Sequence, residues 1–223
     1  MITTKNSMYL HIPKTAGMWV KSVLEPITEY SSLHNIPPAQ PDRSHVYTFV
    51  RNPWSWYVSF YQFHTKGSET FNLSFSPIGN AIVRGNSFEE FIYSATNPTI
   101  KDKRKILNYV KLDVLAHKIE AAWLNDVFTS WLDSDDGLYQ HFCNVYCRYA
   151  TRIGTFENIR NDLLDMVTES GELTPELQDR IINSPPVNVT IDQIDYHTYY
   201  THELYEYVNL SSTKLLKVKH YEF

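Results

Sequence analysis

Near the start of the chain, His11-Ile12-Pro13-Lys14-Thr15-Ala16-Gly17 sets a lysine and a threonine just ahead of a glycine. Those residue types suit an oxyanion. A lysine brings a mobile full charge, a threonine hydroxyl brings a donor, and a glycine lets the backbone come close to a bound phosphate or sulfate. The mostly apolar run before it, Ser7 to Ile12, reads as a short buried strand beginning almost at the terminus, with little room for anything ahead of it. After it, Met18, Trp19, Val20, Val23 and Leu24 include a helical stripe that Pro26 ends. A loop leading from a strand into a helix gathers unpaired backbone N–H groups and the positive end of the helix dipole in one place. The nucleoside-triphosphatase loop G-x-x-x-x-G-K-[ST] is a different pattern, because here the lysine precedes the glycine. On chemistry alone the segment fits an anion cradle or an ordinary structural turn, and it names no particular anion.

A second junction of the same kind follows. His45 to Val50 reads as a strand, and Pro53 suits the first turn of a helix along which Trp54, Tyr57, Val58 and Tyr61 recur at helical spacing. Arg51-Asn52 therefore lies where the second strand ends. Two strand-to-helix junctions this close predict parallel strands joined by a crossover helix, with the junctions side by side at the carboxyl ends, where ligands bind in such sheets. Arg51 offers a bidentate fork for a second anionic group, and Ser59 a hydroxyl from the following helix.

Taken together, the two segments resemble the carbohydrate sulfotransferase superfamily, whose members use 3′-phosphoadenosine 5′-phosphosulfate. His11 to Gly17 is similar to that family's 5′-phosphosulfate loop, and Phe49-Val50-Arg51-Asn52-Pro53-Trp54 with Val58-Ser59-Phe60-Tyr61 is similar to its 3′-phosphate segment. Ser87-Phe88-Glu89-Glu90-Phe91, Ile153-Gly154-Thr155-Phe156-Glu157-Asn158 and the stretch from Tyr199-Tyr200 to Tyr221-Glu222-Phe223 resemble later family segments. The resemblance implies an α/β fold: a single domain over 1–223, with a central, mostly parallel sheet flanked by helices and a P-loop-like nucleotide core. It implies a PAPS-dependent sulfotransferase with a carbohydrate hydroxyl as acceptor. The donor site would comprise Lys14, Thr15, Ala16, Gly17, Met18, Trp19, Arg51 and Ser59, with Lys14 following charge onto the leaving phosphate and Trp19 or Trp54 bordering the adenine. Met18 replaces a hydroxyl residue common in the family, and Thr155 an arginine.

A hydroxyl acceptor needs a base that titrates near neutrality, which favours histidine. His34, in the connection from the first helix to the second strand, stands where relatives often place one; His45 and His64 are the other candidates. The competing function classes are a small-molecule kinase and a catalytically inactive nucleotide-binding protein.

The remaining chain sets bounds. With 223 residues, 43% hydrophobic and 20% charged, the composition is that of a soluble globular protein. Its net charge of −5 offers no general attraction to nucleic acid or anionic membrane, so any anion site must be local. Cys143 and Cys147 are too few for a disulfide framework, and with His141 they lack a fourth ligand for zinc, so no metal is expected. Neither a signal peptide nor a membrane span is evident; a cytoplasmic protein without the anchor of Golgi relatives, from a bacterial or viral source, is the expectation. Lys101-Asp102-Lys103-Arg104-Lys105 reads as a solvated charged face. Further helices are expected at Phe88 to Ala95, Val114 to Ala122, Asn158 to Ser170 and Asp195 to Asn209, and a strand within Tyr149 to Thr155.

Overall fold

A computed structural model describes residues 1–32, 43–66, 82–83, 85–117, 122–187 and 195–223. Along the chain come β1 (Ile2–Thr3), β2 (Ser7–Leu10), α1 (Gly17–Leu24), β3 (Tyr30–Ser31) and β4 (His45–Val50). Next are α2 (Pro53–Lys66), α3 (Phe88–Thr96), α4 (Ile100–His117), α5 (Ala122–Leu132) and α6 (Leu138–Cys147). β5 (Arg152–Thr155), α7 (Ile159–Glu169), α8 (Pro175–Asn183), α9 (His202–Ser211) and α10 (Thr213–Lys219) complete the order. The fold is α/β, with one five-stranded mixed sheet and flanking helices. Two compact units divide the chain: Met1–Arg51 with Cys143–Asn188, and Asn52–Phe142 with Val189–Phe223.

The first unit holds the whole sheet, in the order β3-β1-β2-β4-β5. β2, β4 and β5 run parallel, with Leu10 opposite Thr48 and Val50 opposite Thr155, whereas β1 is antiparallel to both β2 and β3. All four residues of β2 and five of the six in β4 are buried, as expected of strands inside a sheet. Tyr9, Tyr47 and Phe49 share one face through the two-residue strand period, and there they meet Trp19, Val20, Val23 and Leu24 of α1, Leu163, Met166 and Val167 of α7, and Leu177 and Ile181 of α8.

α1 stops where Pro26 can no longer donate a backbone hydrogen bond, and a short 3₁₀ turn, Glu25–Ile27, follows. Its last carbonyls are satisfied from outside: Arg180 donates to Ser22 O at 2.6 Å and Val23 O at 3.2 Å, and Thr28 Oγ1 donates to Leu24 O at 2.8 Å. Arg160 of α7 does the same for α8, donating to the carbonyls of Ile181, Ile182 and Ser184.

Among the described residues, helices make up the second unit, and aromatic side chains form its centre. Trp56 stacks on Tyr139 at 4.4 Å and on Phe60 at 4.8 Å between ring centroids, and Phe60 in turn lies parallel to Phe91. α3 begins with a capping box in which Ser87 and Glu90 bond each other's backbone N–H.

Several expected elements differ in extent. β2 ends at Leu10 rather than Ile12, and a two-residue strand, β1, precedes it. The helix expected over Val114 to Ala122 is the end of α4, which starts at Ile100, with α5 beginning at Ala122 and 118–121 outside the described residues. The span from Asp195 to Asn209 divides into a 3₁₀ turn, Tyr196–Tyr199, and α9, because Thr201 caps a fresh helix by accepting from Leu204 N at 3.3 Å. α6, α8 and α10 match no expected helix, and α5 shares only Ala122 with one. Residues 67–81 lie outside the described residues.

Candidate anion-binding site

Three adjacent parallel strands end at this site, and each contributes a residue. β2 leads into Lys14, β4 is followed by Arg51, and β5 by Phe156. All three belong to the first unit.

The loop from β2 to α1 has an unusual backbone. Lys14 has φ 65° and Ala16 φ 61°, both in the left-handed region that non-glycine residues seldom enter, while Thr15 between them does not. Such alternation turns consecutive N–H groups toward one side, which is the geometry of an anion-binding nest. It costs on the order of 1 kcal/mol per left-handed residue, so the surroundings must hold it. Thr15 is one brace: its buried hydroxyl donates to Ile12 O at 2.8 Å, so its proton is spent inside the loop. Gly17 is another. A Cβ there would lie 1.9 Å from His11 Cδ2, so the imidazole occupies the place a side chain would need. The loop's inner side is filled, with a void of about 10 Å³ beside His11, Thr15 and Gly17, room for no more than a water.

α1 starts at Gly17 with Ala16 as its N-cap, no side-chain cap and no acidic residue in its first turn. Its first N–H groups therefore lack both an intrahelical acceptor and a competing carboxylate from the helix itself. Met18 is half-buried at the second position.

Two cationic residues, Lys14 and Arg51, lie beside that terminus. Arg51 Nη1 donates to Lys14 O at 3.3 Å, and its guanidinium carbon lies 4.2 Å from the centre of the Phe156 ring. Phe156 thus supplies a cation–π face that holds the guanidinium in place. Burial first, and then the charge of Arg51, push the Lys14 ammonium down to about 7 from its ordinary 10.5. Nearby, Asp162 accepts from Thr155 N at 2.6 Å and Thr155 Oγ1 at 3.1 Å, and its other oxygen accepts from Asn158. Thr155 is accordingly engaged with the start of α7.

Other expected site residues fall elsewhere. Trp19 is buried in the core of the sheet unit, with Arg160 over its ring at 5.0 Å and, among the described residues, no hydrogen-bond partner for its Nε1. Ser59 is buried on α2 in the second unit. There too, Trp54 is stacked on Tyr205 at 5.1 Å and donates from Nε1 to Tyr205 O. His34 lies outside the described residues. His45 opens β4, at the opposite end of the strand from Arg51, 3.9 Å from Glu169; His64 is bonded through Nδ1 to Phe60 O. His141 is occupied by Val127 O and Ser130 Oγ, and among the described residues no group of histidine, cysteine and carboxylate side chains has the form of a metal site.

In the sequence Phe156 stands within the longer segment Ile153 to Asn158, and its place directly after a strand is the signal for its role. Comparison with protein-family models, with curated proteins and with solved structures finds no match.

Proposed function

We propose that this chain is a sulfotransferase that binds 3′-phosphoadenosine 5′-phosphosulfate at the β2–α1 loop and transfers its sulfuryl group to a carbohydrate hydroxyl. The carrying observation is the placing of Lys14 and Arg51 at the uncapped start of α1, where Arg51 Nη1 donates to the Lys14 carbonyl. Like charges brought together on a strained loop cost free energy in the free protein, and a polyanion turns that cost into binding. The resemblance of His11 to Gly17 and of Arg51 to Ser59 to sulfotransferase segments narrows the polyanion to a 3′-phosphorylated phosphosulfate nucleotide.

In this reading the loop N–H groups hold the 5′-phosphate, Lys14 follows the charge that gathers on the leaving phosphate oxygen, and Arg51 meets the 3′-phosphate. The sulfur–oxygen bond to the nucleotide breaks as a bond to the acceptor oxygen forms. The acceptor's proton passes to a base, assigned to His34. A pKa near 7 suits Lys14 for the task, because the ammonium gains its proton fully as the nucleotide's charge arrives.

The test is incubation with labelled donor and a panel of saccharides, lipids and small alcohols, with products identified by mass spectrometry. Labelled saccharide is the expected product; no transfer to any acceptor, despite nucleotide binding, would leave a binding protein instead. His34→Ala should lower kcat by about 10²-fold or more while leaving nucleotide affinity unchanged. Near-normal turnover would remove His34 as the base.

A further inference from the structure

The exposed side of α4 is a surface that the anion site does not use. The inner side of the helix is packed: Lys103, Ile106 and Leu107 are each at most 5% exposed. Lys103 is a cap, its ammonium donating to Trp131 O at 3.1 Å and to Ser134 O at the end of α5. The expectation of a wholly solvated charge run fails at this residue.

The outer side is continuous. At 3.6 residues per turn, Ile100, Lys101, Arg104, Lys105, Tyr109, Lys111 and Leu112 fall within an arc of about 180°. All of them are exposed, with Ile100 and Tyr109 at 49% and Leu112 at 65%. None of the four cations forms an ion pair among the described residues. Asp102 lies at the edge of the arc and is committed to Thr99, accepting from its N–H at 3.1 Å and its hydroxyl at 2.6 Å. On a chain of net charge −5, this is a local reversal of sign. It also carries three of the large apolar side chains that the described residues leave exposed.

The mixture selects the partner. A hydrated polyanion, whether glycan or nucleic acid, would neutralise the cations and leave Ile100, Tyr109 and Leu112 in water. An apolar protein surface would cover those three and strand four charges. The headgroup layer of an anionic bilayer takes both, since long basic side chains reach phosphates while apolar ones enter the acyl boundary. Among the described residues no helix is long and apolar enough to cross a membrane. We propose that the exposed face of α4 docks the protein on an anionic lipid surface, with the helix lying in the plane of the interface.

The proposal is tested by sedimentation with vesicles of phosphatidylcholine alone and with added phosphatidylserine, at low and high salt. Binding is expected only with phosphatidylserine, and it should weaken as salt rises. The pair Lys101→Gln and Lys105→Gln should weaken it about thirtyfold, from about 1 kcal/mol for each cation near the surface. Leu112→Ser should weaken it severalfold with the salt slope unchanged, which separates apolar insertion from charge. These side chains are exposed, so far-UV circular dichroism should match the parent. Equal binding to both vesicle types, absence of binding, or retention on a sulfated glycan without vesicle binding would overturn the proposal.

Discussion

At the residue scale, Lys14 is held at an energetic cost that the proposed ligand would repay. Its pKa is lower in the folded chain, about 7, than the ordinary 10.5, so between those values the unfolded chain binds the extra proton. The penalty is complete below pH 7 and disappears above pH 10.5, and this group makes stability rise with pH in between. Lys14→Met should therefore stabilise the free protein by about 3 kcal/mol at pH 6, with the gain shrinking toward pH 10.5, while abolishing transfer. Urea unfolding across that range checks it; a destabilised variant at pH 6 would mean that the ammonium is already compensated. Gly17 is tied to His11 by space. Gly17→Ala should cost about 1–3 kcal/mol and weaken nucleotide binding, because the new methyl must displace the imidazole. In a His11→Gly background the same substitution should cost much less, as read by thermal denaturation. An equal cost in both backgrounds would contradict the steric account.

At the element scale, the arginine caps hold the helices behind the loop. Arg180→Met leaves two carbonyls at the end of α1 without their donor and should cost about 1–2 kcal/mol, whereas its 3.8 Å pairing with exposed Glu25 adds little. Calorimetric unfolding of the variant tests this, and a loss under a few tenths would show that water replaces the cap. The elements that position the site were legible because their signals are local: a buried apolar run, a proline at the right turn, a glycine against the next element. β1 and β3, of two residues each, are too short to show alternation and exist through pairing alone. α8 carried a readable start, Thr174 as N-cap and Pro175 after it, with Leu177 and Ile181 four apart on its buried side. Its otherwise polar sequence hid it. The burial of Lys103 had no sequence signal, because its partners lie some thirty residues away.

At the scale of the whole molecule, the division into two units was not legible, since each is assembled from distant stretches: the sheet unit resumes at Cys143 and the helical unit at Val189. Lys14, Arg51 and Phe156 were brought together by the parallel pairing of three strands, of which the sequence announced two junctions. The donor side of the proposed reaction thus rests on residues within one unit, whereas the base, His34, rests on its place in the chain. Calorimetric titration with 3′-phosphoadenosine 5′-phosphate tests the donor claim most directly, alongside its 3′-dephosphorylated analogue and ATP with magnesium. The 3′-phosphorylated nucleotide should bind at least tenfold more tightly than either, and Arg51→Ala should erase its advantage over the analogue. Equal affinity for the first two, or tighter binding of ATP with magnesium, would contradict the claim.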